Sequence, residues 1–532
     1  MGLSMSNESD IYIIGSGLSA MAAATALVER GYLPTVLDAG LVPDSSAVAL
    51  KSRLALDEPS QWKAEDLAQL RQTGPSALNG IPRKMYFGSD FSFQSANGAH
   101  PLEVAAASVH RSFAVGGFSN LWGAVIEEFS SKDLKDWPLT NGDLEPHYAA
   151  MHALVQDKPL SAAVEGIPDY QLRPSSQAHA LFKDLSVGQT ELREGGIRFG
   201  PPQLAVRATG PNGEDACRYC GQCLHGCPYE CRYTAAETLA RLTRAGQIRY
   251  LPGVLVERLL SQNGLIQIQT RAASGDERRS FSGKRVFVAA GMLESTRIIL
   301  ASLELYGKPV HAGHSDIFTL PLIRYHAAPG ISRENIHTLC QLVAEVDIPH
   351  ISAHPVHLQF YGYNDLYLQI MRLRAGWTAP FLTPALRAIA ARLFVAFGYL
   401  HSSVSSKLVL TLSSEGAGRL LVRGEPNPLA RTIAKAAARK LFQKRRLLKA
   451  MPVLAELRLD LPGGGYHSGG TFPMSETPDF PETDSLGRLR ELHGVHLVDA
   501  SILPAIPAST IAFTVMANAH RIASDCPMPH AE

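Results

Sequence analysis

No run of about 18 consecutive apolar residues occurs in the chain, so no segment reads as a membrane-spanning helix. Neither charge dominates: Lys+Arg 50 against Asp+Glu 49 leaves a formal net charge of +1. That balance argues against a dedicated nucleic-acid binder, which carries a basic excess. Cysteine is scarce, seven in 532 residues, which excludes a small disulfide scaffold. No secretory leader is read in the largely polar start from Met1 to Asp10, so the expected location is the cytoplasm. Met1–Ser6 formally fits a myristoylation site and is read as a chance match. No second dinucleotide fingerprint follows a strand, which argues against a pyridine-nucleotide reductase. Hydrophobic residues at 45% and charged residues at 19% support a large core and exclude global disorder. The length suggests two to four domain-sized units.

What is present begins at the N-terminus. Ile11-Tyr12-Ile13-Ile14 reads as a buried strand, Gly15 to Ala20 as a turn, and Ala20 to Arg30 as an Ala-rich helix closed by Gly31. Leu33 to Leu37 is the next strand, ended by Asp38. Gly15, Gly17 and Ala20 fit G-x-G-x-x-G/A. The first glycine makes the turn, the second lets the backbone approach a pyrophosphate, and the small third residue lets helix and strand pack closely. The helix N-terminus offers N–H groups to phosphate. Asp38 is placed for a ribose hydroxyl. The fingerprint alone does not separate NAD from FAD.

The stretch from Leu41 to Pro101 reads as irregular. Strands are expected at Gln247–Leu251, Leu255–Leu260, Leu265–Thr270 and Arg285–Ala290, with helices at Ala235–Ala245 and from about Leu293. Strand-like content recurs at Thr338–Val346, Val356–Tyr361 and Lys407–Leu412, so the middle block reads as a second, sheet-containing domain. Pro380–Leu400 reads as an apolar helix and Leu429–Ala450 as a basic one. Val495–Val498 is expected as a closing strand and Ala512–Ala523 as a final helix.

Three more segments carry a family resemblance: Val115-Gly116-Gly117-Phe118-Ser119-Asn120-Leu121-Trp122-Gly123; Phe287 to Arg297; and Tyr466-His467-Ser468-Gly469-Gly470-Thr471, continued by Gly494 to Pro504 and on to Thr514. With the N-terminal fingerprint, in this order, the chain resembles the glucose–methanol–choline (GMC) oxidoreductases. The resemblance implies an α/β fold, α+β overall. A Rossmann-like FAD domain would be formed by residues 1–309 and 456–532, and a substrate domain with an antiparallel sheet by 310–455. It implies oxidation of a CH–OH group, hydride passing to flavin N5. Gly116, Gly117, Ser119 and Asn120 would line the pyrophosphate and flavin ring. Val256 would meet the adenine through its backbone, and Asp499 and Ala500 would lie near the ribityl chain and pyrophosphate. Leu121 stands where some relatives carry a flavin-linked His, which implies non-covalent FAD. His467 matches the active-site base, a role suited to its unperturbed pKa of about 6.5. Four residues before Thr514, where relatives have a second His or Asn, this chain has Thr510, whose hydroxyl is no base at neutral pH.

Five cysteines fall in one stretch. Cys217, Cys220, Cys223 and Cys227, with Pro228 next, reproduce the spacing C-x2-C-x2-C-x3-C-P, and Cys231 follows. This pattern suggests an iron–sulfur cluster, and some membrane-linked relatives carry one in this region. The expected enzyme is therefore a dehydrogenase that passes electrons through a cluster to an acceptor protein or quinone. The alternatives are an oxygen-using oxidase whose cysteines only brace a loop, and a non-redox lyase or isomerase that keeps FAD for structure. The substrate is expected to be a small alcohol or sugar-like molecule. The two helices allow peripheral contact with a membrane as a sharper reading than solvated or packing faces.

Overall fold

The computed structural model describes residues 9–71, 90–156, 171–208, 216–415 and 418–528. The hexapeptide Met1–Ser6 lies outside them. Ile11–Ile14, Thr35–Leu37, Arg249–Leu251, Arg285–Val288 and Val495–Leu497 form a parallel sheet. Its order runs 495–497, 285–288, 11–14, 35–37, 249–251. All four residues of the first strand are buried, as expected of a strand covered on both faces. The Ala-rich helix Leu18–Glu29 packs against the closing helix Ala512–Asp525. Chain segments almost 500 residues apart thus share one core.

A second sheet is antiparallel throughout. Its order is Ala450–Pro452, Ile317–Arg324, Leu393–Tyr399, Val356–Tyr361, Leu342–Val346 and Ile197–Gly200, with Arg458–Leu459 also pairing with Ile317–Arg324. Strand alternation divides its faces. Phe318, Leu320, Leu358, Phe360, Phe394 and Ala396 pack into a core with Ile433, Ala437 and Leu441 of helix Pro428–Gln443. Ile317, Gln359, Tyr361, Phe397 and Tyr399 face a cavity on the other side. The basic helix is held by a standard start: Leu429 N–H donates to Asn427 Oδ1 at 3.0 Å, with Pro428 in the first turn. Its buried stripe packs against the sheet, while Arg431, Lys435 and Arg439 are exposed.

A third sheet joins Ser468–Gly469, Pro309–His314, Lys407–Leu412, Leu420–Glu425 and Leu102–Ala105. A three-stranded meander spans Val254–Gln262, Leu265–Ala272 and Arg278–Gly283.

Two expectations are corrected. Leu41–Pro101 is not uniformly irregular: Ser45–Leu56 and Ala64–Leu70 are helices, and Ser46 N–H donates to Asp44 Oδ1 to cap the first. Pro380–Leu400 is not one helix. Ala379–Ala390 is helical, but Leu393–Tyr399 is a central strand paired on both sides. Its aromatic and β-branched residues pack on both faces of a sheet, a tertiary gain that local helical pattern does not report.

Candidate active site

The parallel sheet and the antiparallel sheet border a shared cavity of about 410 Å3. Gly15, Gly17, Asp38, Gly117, Ser119 and Val256 line it. So do Asp499 and Ala500, which follow the last parallel strand, and His467 and Thr510. Ala20, Gly116, Asn120 and Thr514 do not line it and act behind it. Ala20 is fully buried in the first helix. Gly116 has φ +79° and its N–H donates to Ser16 Oγ at 3.0 Å. Asn120 Nδ2 donates to the carbonyls of Val115 and Gly117, both at 2.8 Å. The Thr514 hydroxyl pairs with Tyr148 OH at 2.7 Å.

The glycine turn has an open side suited to a dinucleotide phosphate. At Gly15 (φ +99°), an added Cβ would lie 2.5 Å from Ala289 O, so this glycine is needed by the turn itself. At Gly17, an added Cβ would meet nothing within 4 Å: it would project into the cavity at the start of helix Leu18–Glu29. Space, free helix N–H groups and the helix dipole coincide there. Val256 lies in the same wall, and its carbonyl accepts from Arg297 Nη2.

Asp38 is buried at the end of its strand. Its Oδ2 accepts from Ser16 Oγ at 2.8 Å, Gly40 N–H at 3.1 Å and Tyr250 OH at 3.1 Å. Burial raises its pKa to about 6, against the lowering effect of these hydrogen bonds. Such an acid binds its proton more tightly folded than unfolded. Its contribution to stability is present below the unfolded value near 3.8 and is lost as pH rises through about 6. We expect the apoprotein to lose about 3 kcal/mol from this group across that window. Asp38→Asn should flatten that part of the profile, as measured by denaturant unfolding at several pH values.

His467 ends the loop 460–467, between strands Arg458–Leu459 and Ser468–Gly469. Its ring stacks on Tyr399, with centroids 4.9 Å apart and planes at 20°. Ser315 N–H donates to His467 O at 2.9 Å. Behind it, Gly463 N–H donates to His314 Nε2 at 2.9 Å. Nδ1 of His314 lies 3.2 Å from Ser468 Oγ and 3.3 Å from His467 O, and its Nε2 also lies 3.3 Å from Asp316 Oδ1. Tyr466 is held at φ +62°, in the left-handed region, immediately before His467. His110 also lines the cavity and stacks on Tyr466 at 5.6 Å; burial lowers its pKa.

Thr510 stands at the end of a polar chain that the sequence reading missed. Its N–H and hydroxyl both donate to Glu127 Oε2, at 2.9 and 3.2 Å. Glu127 Oε1 lies 3.4 Å from Nε2 of buried His357. His357, Gln359 and Tyr361 alternate along one strand, so the period of two was the available signal. Gln359 Oε1 accepts from Tyr361 OH at 3.0 Å, while its Nε2 is buried with no hydrogen-bond partner among the described residues.

The five cysteines of the 217–231 segment are all free thiols. A hydrogen bond with Cys231 lowers the pKa of Cys227, to which the Arg232 guanidinium also contributes; Cys231 is raised in turn. Burial raises Cys217, Cys220 and Cys223. Cys223 Sγ accepts from Thr338 N–H at 3.4 Å. Among the described residues, no three His, Cys, Asp or Glu side chains are placed to hold a metal ion. The expected cluster gains no support from this arrangement. Iron and acid-labile sulfide assays on anaerobically purified protein decide it: three or four irons per chain establish the cluster, and none after reconstitution removes it.

Residues 429–519 match the family profile of the GMC oxidoreductase C-terminal part. Among solved structures, the chain is similar to pyridoxine 4-oxidase from Mesorbium loti, with TM-score 0.62 and 17% identity over 98% of this chain and 100% of that one. It is also similar to a variant of formate oxidase from Aspergillus oryzae RIB40, with TM-score 0.61 and 13% identity over 98% of each chain. No curated protein matches it by sequence. The profile match covers the segment that carries His467, and both solved structures share this chain's α/β fold, so the chain is similar to the GMC oxidoreductases in its C-terminal part and in its fold.

Proposed function

We propose that the protein oxidises the CH–OH group of a small alcohol and that His467 takes the hydroxyl proton. What carries this reading is the meeting of His467 and Thr510 with the Gly15–Gly17 turn and Asp38 around one cavity. Bound FAD supplies the two-electron acceptor for the hydrogen that leaves carbon. The turn at Gly15–Gly17, the 117–119 segment and Asp499 hold it in place. Tyr399 limits the tilt of the His467 ring, and Ser315 and His314 fix the backbone that carries it. Thr510, tied to Glu127, orients the substrate hydroxyl without competing as a base.

The substrate end is an aromatic pocket. Tyr361, Tyr367, Phe397 and Tyr399 form its walls. In this reading Gln359 Nε2 donates to an acceptor atom on the substrate, because a buried amide left without a partner costs about 1–3 kcal/mol. Gln359→Leu should lower kcat/KM roughly tenfold to a hundredfold for such alcohols. An alcohol without the acceptor should be nearly unaffected, as steady-state kinetics on matched substrates would show. The finer reading, electron transfer through an iron–sulfur relay, has no ligand set supporting it among the described residues. Anaerobic mixing of the holoenzyme with candidate alcohols tests the main reading: the visible flavin band should bleach as the carbonyl product forms. Product formed with the flavin still oxidised would instead favour non-redox chemistry.

A further inference from the structure

Helices Asp365–Ala375 and Ala379–Ala390, joined through Gly376 at φ +55°, form a hairpin whose two ends differ in character. At the base, Leu368 and Ala390 are buried with Ile331, Ile336 and Tyr363. Tyr367 packs with Phe397 and lines the cavity. At the turn end the apolar side chains face solvent. Trp377 is 84% exposed, Phe381 81%, Leu373 58% and Leu382 44%.

The chain through the hairpin carries charge of one sign: no Asp or Glu occurs between Asp365 and Glu415, while Arg372, Arg374, Arg387 and Arg392 do. Arg374, in the last turn before the tip, is exposed; Arg387 is exposed nearer the base, where it acts on Tyr363. Asp365, at the base, is paired with Arg71 at 3.0 Å and with Tyr363 OH at 2.9 Å. No helix among the described residues is long and apolar enough to cross a membrane.

We propose that the tip of this hairpin inserts into the surface of an anionic lipid bilayer. Trp favours the boundary between headgroups and acyl chains, and Phe and Leu bury below it. Arg374 beside the tip buries its stem and keeps its guanidinium group at the phosphates. A second copy of this chain is a poorer occupant. In a twofold contact centred on the tip, arginine would face arginine with no carboxylate from the hairpin between them. The docking argument stands on exposure and charge alone and does not depend on the oxidation reading. Its consequence for that reading is positional: the helix that carries Leu373 to the tip also carries Tyr367 in the cavity wall.

The test is co-sedimentation of the purified holoenzyme with phosphatidylcholine vesicles, with and without phosphatidylglycerol. The wild type should bind the anionic vesicles, more weakly as salt rises. The pair Trp377→Ser and Phe381→Ser should weaken binding by about tenfold or more. Arg374→Gln should weaken binding to anionic vesicles about fivefold and reduce its salt dependence. Flavin content and thermal stability should not change, since these side chains are exposed. The proposal is overturned if the wild type does not bind anionic vesicles at low salt. It is also overturned if the Trp377/Phe381 pair binds as tightly as the wild type. A wild-type dimer that this pair converts to monomer, without any vesicle binding, would assign the tip to a second copy of the chain.

Discussion

Replacing His467 by glutamine should lower kcat by about a hundredfold to ten-thousandfold, the usual contribution of a positioned general base. Flavin content should stay unchanged, because in this reading the Gly15–Gly17 turn, the 117–119 segment and Asp499, not His467, hold the dinucleotide. Glutamine keeps a polar side chain of similar reach over Tyr399 but accepts no proton near neutral pH. The residual rate of the variant should therefore rise with pH, as solvent hydroxide or the alkoxide form of the substrate replaces the missing base. Stopped-flow measurement of flavin bleaching separates this from substrate binding. Bleaching at the wild-type rate would remove His467 from the proton transfer. The stacking on Tyr399 and the bonds to its backbone make misfolding a lesser concern, and thermal unfolding of the variant controls for it.

The second large effect is expected at Gly17. A Gly17→Val side chain starts in open space, with nothing within 4 Å of its Cβ, and the backbone there has φ −71°, which any residue adopts. The apoprotein should be as stable as the wild type to within about 1 kcal/mol. Flavin affinity should fall by at least about a hundredfold, because the side chain takes the space in which the pyrophosphate would approach the helix N–H groups. Neighbouring Gly15 separates the two roles. Gly15→Ala brings a Cβ to 2.5 Å from Ala289 O at φ +99° and should cost several kcal/mol of fold stability with or without flavin, on the order of overpacking plus left-handed strain. Unfolding curves for both apoproteins and flavin titration of each would read the difference. A Gly17→Val protein that binds FAD normally would place the phosphates elsewhere.

The two glycines also show how far a linear pattern reaches. The fingerprint marks both positions alike, because spacing records where small residues fall. The coordinates divide them: one is required by Ala289 behind the turn, the other faces the cavity. The same holds for Gly116, Gly117, Ser119 and Asn120. The motif groups them, yet Gly117 and Ser119 line the cavity while Gly116 and Asn120 brace the turn from behind. The segment 380–400 failed as a single helix because the gain that makes Leu393–Tyr399 a strand comes from neighbours on both sides in space.

Local chemistry was decided in the sequence. The strand–turn–helix at the N-terminus, its buried apolar runs and the family pattern around His467 follow from residue order alone, because turn geometry and alternation act over a few residues. Whether distant groups meet was decided by the tertiary structure. The chain Thr510–Glu127–His357 joins three segments far apart in sequence, so the gap left by a threonine at that position became interpretable only in space. The cysteine run shows the converse. Its spacing permits a cluster, but where each thiolate points is set by how the segment is packed against Thr338 and Arg232. Apolar side chains at a helix tip likewise read as core until packing leaves Trp377 and Phe381 in solvent. Burial and convergence are sums over the whole fold, and no local stretch of sequence contains them.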